Sequence, residues 1–169
     1  SIKTERPVKF VMSREENAIS SRQVHDMIAK IKTGVKKDGT IVAREYEVIY
    51  DGGAYSSTGP IATSVPFYVY EECYRMPNVR YHGYRVYTNK GIRGMYGCHG
   101  RAFLAGCEAQ LDLIAKDLNL DPVEIRLKNG LKAGDVTATG SKIISCGLRE
   151  TIKEAVKRSD FKVKWNRKG

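Results

Sequence analysis

Lys37-Asp38-Gly39-Thr40 is the feature that most restricts the fold. Asp-Gly between two alternating runs supplies the positive φ angles that a tight hairpin needs. Before it, from Val24 to Val35, Met27, Ala29 and Ile31 fall on one strand face, and Asp26, Lys30 and Lys32 on the other. After it, Ile41 to Tyr50 sets Val42, Tyr46, Val48 and Tyr50 on one face. Residues 24–50 are therefore predicted to be a β-hairpin, broken by Asp51-Gly52-Gly53-Ala54-Tyr55.

Other elements follow from local signals. Val8 to Met12 alternates like a short strand, and Ser13 with Glu16 has the spacing of a capping box. Residues 52–66, rich in Gly, Ser, Thr and Pro, read as a surface loop, with a weak helix or extended stretch running on to Glu72. Val79 to Thr88 alternates again, placing Tyr81, Gly83, Arg85 and Tyr87 on one side. Residues 101–118 repeat Phe103, Leu104, Cys107, Leu111, Ile114 and Leu118 at helical spacing. Asp121-Pro122-Val123-Glu124 opens another helix and Asn129-Gly130 closes it. A polar loop over 132–146 precedes a helix from Leu148 to Arg158. Strands come first and helices last, which predicts an α+β fold.

Composition narrows the function. The net charge of +10 favours anions: nucleic acid, a phosphorylated cofactor or an acidic partner surface. Part of it lies in the tail, where Lys153, Lys157, Arg158, Lys162, Lys164, Arg167 and Lys168 outnumber Glu154 and Asp160. That tail reads as solvated, and its last residues as a cut end. Four cysteines lack zinc spacing and suggest free thiols in an intracellular protein. No apolar run approaches a membrane span, and the first residues carry no signal segment.

The best site candidate is the run from Asn89 to Gly100, with glycines at 91, 94, 97 and 100, leading into a helix. Glycines let backbone amides approach a ligand, a helix N-terminus favours negative charge, and Arg93 offers a planar fork of donors. The spacing is neither a phosphate-binding Walker loop nor a dinucleotide fingerprint. Cys98-His99 has no third orienting residue and reads as an incidental pair; His25 and His82 read as structural or surface residues. Six tyrosines between Tyr68 and Tyr87, interleaved with Arg75, Arg80 and Arg85, admit a rival: a module that stacks single-stranded nucleic acid.

Several blocks, in order, carry a resemblance. Arg6-Pro7-Val8 and Arg14-Glu15-Glu16 are followed by Asp51-Gly52-Gly53-Ala54-Tyr55, Tyr74-Arg75-Met76-Pro77-Asn78-Val79 and Tyr87-Thr88-Asn89. Arg93-Gly94 and then Asp121-Pro122-Val123-Glu124-Ile125-Arg126-Leu127-Lys128-Asn129 complete the series. Together they resemble the molybdenum-cofactor subunit of the xanthine dehydrogenase/aldehyde oxidase family. The resemblance implies that residues 1–169 are one part of a molybdopterin-binding domain, 1–90 mainly strands and 91–169 a cofactor loop plus helices. It implies an oxidoreductase with molybdenum on a pyranopterin, either plain or in the cytosine dinucleotide form, acting on an aromatic, heterocyclic, aldehyde or aryl-CoA substrate. Hydroxylation and reductive dehydroxylation are both open. Arg93 matches the catalytic arginine of the family's loop, with Gly94, Met95, Tyr96 and Gly97 as the cofactor-binding backbone and no protein ligand to the metal. Expected partners are the remainder of the molybdenum subunit and iron–sulfur and flavin domains or subunits, in the cytoplasm, with neither nucleic acid nor membrane.

The loop departs from the family pattern. The usual Phe after Arg-Gly appears as Met95-Tyr96, and Gly-Pro-Gln as Gly97-Cys98-His99-Gly100. In this it is similar to the 4-hydroxybenzoyl-CoA reductase and nicotinate or aromatic-hydroxylating branches. The family's glycine-rich block belongs before residue 1, and its base glutamate after residue 169. The chain is therefore expected to be a piece of a longer subunit, inactive alone.

Overall fold

The computed structural model describes residues 1–71, 73–94 and 100–166. The hairpin turns at Asp38-Gly39 as the sequence predicts, but only Gly39 takes a positive φ, and residues 36–40 make a wider connection than a tight turn with both angles positive. Gly39 sits at φ +82, and the Asp38 carboxylate accepts hydrogen bonds from the Thr40 amide and hydroxyl. It joins β1 (Met27–Val35) to β2 (Ile41–Asp51) as an antiparallel pair, with Met27 opposite Tyr50 and Ile31 opposite Tyr46. The third strand, β3 (Val79–Val86), lies on the other side of β2 and runs parallel to it.

A parallel neighbour requires a crossover, and here it is a helix. That helix, α2 (Gly59–Glu71), occupies much of the stretch predicted to be a loop. Its Gly, Thr, Ser and Pro content hides it, but Ala62 and Pro66 are buried, and burial outweighs weak propensity. Strands and helices are thus interleaved within the α+β fold, not separated along the chain.

The predicted strand at Val8–Met12 does not form. Among the described residues it has no neighbour to complete a hydrogen-bond ladder, and Val8, Phe10 and Val11 stay in solvent. The adjacent α1 (Arg14–Ser20) carries the predicted capping box: Glu16 N donates to Ser13 Oγ at 3.2 Å, and Ser13 N to Glu16 Oε2 at 2.8 Å.

The core sits between one sheet face and α3 (Arg101–Asp117). Tyr46, Val48 and Tyr50 of β2 meet Phe103, Cys107 and Leu111, with the Tyr46 and Phe103 rings 5.3 Å apart. Each such fully buried apolar side chain contributes ~2 kcal/mol, which is why the apolar stripe, not propensity, sets this helix. Gln110 fixes its height on the sheet, donating to Ile31 O at 2.8 Å and accepting from Thr33 Oγ1 at 2.6 Å.

The second helix after the core, α4 (Pro122–Asn129), begins with the Asp121 side chain accepting from Val123 N at 2.7 Å. Its last residue, Asn129, is buried and stitches it to the hairpin. It accepts from Ile41 N at 2.9 Å and donates to Gly39 O at 2.9 Å and Ile125 O at 2.8 Å. Arg126 ties the same helix to Glu108 and Asp112 of α3. After the predicted loop come α5 (Leu148–Ser159) and a short α6 (Phe161–Asn166), where the tail reads as solvated chain in sequence. Phe161 and Trp165 stack at 5.4 Å, one helical turn apart.

Candidate cofactor-loop site

In sheets with parallel strands, ligands gather outside the carboxyl ends. Here Asp51, the end of β2, pairs with Val86, the end of β3, so the loops after both strands leave from one rim. Those two loops touch. Gly53 has φ +66, and a Cβ there would collide with the Gly91 carbonyl. Thr88 N donates to Gly53 O at 3.1 Å, and Ala54 N to Lys90 O at 3.1 Å. Glycine is required at 53 by both its dihedral angle and this approach.

Asp51 organises the rim. Its Oδ1 accepts from Thr88 Oγ1 at 2.6 Å and from the Gly53 amide at 2.9 Å, while Lys90 Nζ lies 2.9 Å from Oδ2. The Thr88 hydroxyl, then Lys90 and the Gly53 amide, hold Asp51 well below the usual carboxylate range despite its burial. Lys90 is raised in turn, chiefly by Asp51 and then by Asp26. Lys90 Nζ also lies 2.9 Å from Asp26 Oδ2, and Arg93 Nη2 lies 3.3 Å from that same oxygen. Lys90, Asp26 and Arg93 thereby extend the network from Asp51 into the candidate loop.

Arg93 stands where the sequence puts it, at the start of that loop. A parallel bridge holds its backbone to Gln23: Gln23 N donates to Ile92 O at 3.3 Å, and Gly94 N to Gln23 O at 3.0 Å. Its guanidinium is mostly buried and largely committed. Nη1 donates to Val24 O at 3.3 Å and Nη2 to Asp26, while Nε is buried with no hydrogen-bond partner among the described residues. Gly94 is buried as well. Met95, Tyr96 and Gly97, assigned with it to the cofactor, and the Cys98-His99 pair lie outside the described residues.

Sequence reasoning missed the support for this loop. Arg85 is one such residue: its Nη2 donates to Gly52 O at 2.6 Å and Tyr55 O at 2.7 Å. Its Nε and Thr58 Oγ1 are buried without hydrogen-bond partners among the described residues. The paired glycines 52 and 53 were the available signal, since adjacent glycines after a strand mark close approach of another group. His25, by contrast, is structural as predicted: it is buried, with Nδ1 2.8 Å from Asp51 O.

A cleft of about 230 Å³ opens beside this rim, lined by Asp26, Ile28, Ile49, Asp51, Val86 and Lys90 among others. A roomier one, about 460 Å³, lies at the far end of the sheet around Lys32, Glu45 and Arg80. The smaller cleft is the relevant one, because it adjoins the loop and the charged network. Among the described residues, no group of three or more His, Cys, Asp or Glu could hold a metal ion. No described helix is long and apolar enough to cross a membrane.

Residues 1–130 match the model of the molybdopterin cofactor-binding domain. The chain is 38% identical over 154 residues to the nicotinate dehydrogenase large molybdopterin subunit of Eubacterium barkeri, covering 90% of this chain and 36% of that protein. It is 31% identical over 168 residues to a probable xanthine dehydrogenase subunit from Bacillus subtilis, covering 99% and 23%. Among solved structures, quinoline 2-oxidoreductase from Pseudomonas putida superposes with a TM-score of 0.85 at 25% identity, over 98% of this chain and 22% of that one. The chain thus spans little more than a third of these relatives, or less. The first of these is named as a molybdopterin subunit, and nothing in the matches supports a nucleic-acid module. The ordered motifs, the shared fold and the family match agree: this chain belongs to the molybdopterin cofactor-binding domains of the xanthine dehydrogenase/aldehyde oxidase family.

Proposed function

We propose that this chain, part of a single molybdopterin-binding domain, forms one wall of the molybdenum site in a longer cytoplasmic oxidoreductase. The substrate class is a nitrogen heteroaromatic, hydroxylated at a ring carbon. Nicotinate and quinoline, named for two of the relatives, are both of this kind. When bound, the molybdenum–pterin group supplies the two-electron oxidation that converts a ring C–H to C–OH with oxygen from water. The electrons leave through iron–sulfur and flavin domains or subunits, and the rest of the molybdenum subunit supplies the base.

The observation that carries this reading is the set of unsatisfied donors at the loop junction. Among the described residues, Arg93 Nε and Thr58 Oγ1 are buried without partners, on segments that meet at Gly94, whose backbone is too closely packed to accept a Cβ without displacing Arg22. Buried polar atoms left unpaired cost ~1–3 kcal/mol each unless a ligand completes them. A pterin edge or its phosphate, with or without a cytosine nucleotide extension, is polar enough to do so. Gly94, Met95, Tyr96 and Gly97 give that group their backbone, and Arg93 stabilises negative charge developing on the substrate.

The test is the complete subunit with its partners, purified and assayed for molybdenum, pterin and nicotinate hydroxylation in isotopically labelled water. Stoichiometric metal and label in the product are expected, with no turnover from residues 1–169 alone. A complete protein without molybdenum, or product oxygen drawn from dioxygen, overturns the proposal.

A further inference from the structure

We infer that Arg85 is a positioning residue: it holds the loop after β2 as the seat on which the cofactor loop rests. The inference relies on the reading above for what the loop contacts, but its geometry is independent of that reading.

Arg85 projects from the same face of β3 as Tyr81, toward the crossover helix, where Tyr81 Oη donates to Thr63 O. One nitrogen, Nη2, donates to two carbonyls, Gly52 O and Tyr55 O, at 2.6 and 2.7 Å. The guanidinium lies over the Tyr87 ring, 5.4 Å from its centroid. A Cβ on either Gly52 or Gly59 would run into this guanidinium. The loop therefore wraps Arg85 at both ends, and a side chain at either glycine would push the guanidinium aside.

Held this way, the loop delivers Ser57 and Thr58 to the neighbouring segment. Ser57 adopts φ +45, a left-handed conformation that a serine keeps only when its surroundings impose it. A Cβ at Gly94 would stand 3.3 Å from Thr58 Oγ1 and 3.6 Å from Ser57 Oγ. The Gly94 backbone is thus seated between these two hydroxyls on one side and Gln23 O on the other. Arg85 never reaches Gly94 itself; it acts through residues 52–58. A planar guanidinium suits the role because it can donate to two carbonyls while stacking on a ring, which an ammonium does less well.

The experiment compares the complete subunit with Arg85→Met, Arg85→Lys and Gly94→Ala, following amide hydrogen exchange residue by residue and molybdenum–pterin content. Arg85→Met is expected to speed exchange at Gly59 and Gly94 by ~10-fold or more, the effect of losing hydrogen bonds to a charged group, with the amides of Tyr46 and Val48 unchanged. Lysine should restore part of the protection. Gly94→Ala, which presses on the same contact from the other side, should speed exchange at Gly59. Two results overturn the inference: Gly94 staying protected while Gly59 loosens, or protection falling equally throughout the sheet. If the amides respond as described but cofactor content stays normal, the positioning role stands, and the placement of the cofactor at this loop fails.

Discussion

Lys90 Nζ lies 2.9 Å from a carboxylate oxygen of Asp26 and 2.9 Å from one of Asp51, so a single ammonium joins the start of the hairpin to its end. Asp51 is the better enclosed of the two, and its pKa is lowered by Thr88, Lys90 and the Gly53 amide. A carboxylate with a depressed pKa stabilises the fold fully above its unfolded pKa, about 4. That contribution is lost as pH falls from there toward the folded value. Asp38, brought down to about 2 by Lys128 and Thr40, acts in the same direction. Urea midpoints should therefore drop between pH 6 and pH 3, and the drop should be smaller in Asp51→Asn. An equal drop in the two proteins would show that Asp51 is not part of the acid limb.

Arg93→Ala in the complete enzyme should lower turnover by ~10²-fold or more, the usual cost of removing a preorganised charge from a reacting centre. Asp26→Asn keeps the arginine and loses only its ion pair, so its loss should be several times smaller. Steady-state kinetics on both decides the role. Equal losses would mean that Arg93 matters only as the anchor Asp26 holds.

Gly53→Ala places a side chain at positive φ against the Gly91 carbonyl. It should cost more than ~1 kcal/mol of stability, beyond the ordinary glycine-to-alanine gain in unfolded-chain entropy. Denaturant unfolding measures this directly. A neutral result would mean that the two loops separate at little cost.

Asn129→Ala should cost ~3 kcal/mol, because it strands the Ile41 amide and the Gly39 carbonyl inside the protein. Asn129→Asp keeps the acceptor but loses both donor contacts, and it should be no better. Chemical denaturation is the measurement, and a loss below ~1 kcal/mol would imply that water replaces the side chain.

The elements legible in the sequence are those with local signals. The Asp38-Gly39 turn, the Ser13–Glu16 box, the Asp121-Pro122 start of α4 and the stripe on α3 all formed where the pattern puts them. The crossover helix was hidden because Gly59 and the internal Pro66 argue against a helix, and its burial against the sheet and Gly100 supports one. Val8–Met12 misled in the opposite way, since alternation cannot reveal whether a partner strand exists. The site shows the same division. Arg93 came from a motif, whereas Arg85, Asp26 and Lys90 matter through contacts far apart in sequence. Some motif residues serve the fold instead: in the clearest part of the resemblance, Arg126 ties α4 to α3 and Asn129 locks it to the hairpin.

Because β2 and β3 run the same way, the loops that follow them share one rim, and each fills space the other would need. Gly53 cannot gain a side chain without displacing Gly91, and one at Gly94 would crowd Ser57 and Thr58, so these two glycines tie the loops together. A lineage altering the pocket of such a domain would have to change residues 52–59 and 91–94 together, so substrate range should shift in correlated pairs of positions across the rim, not by single replacements.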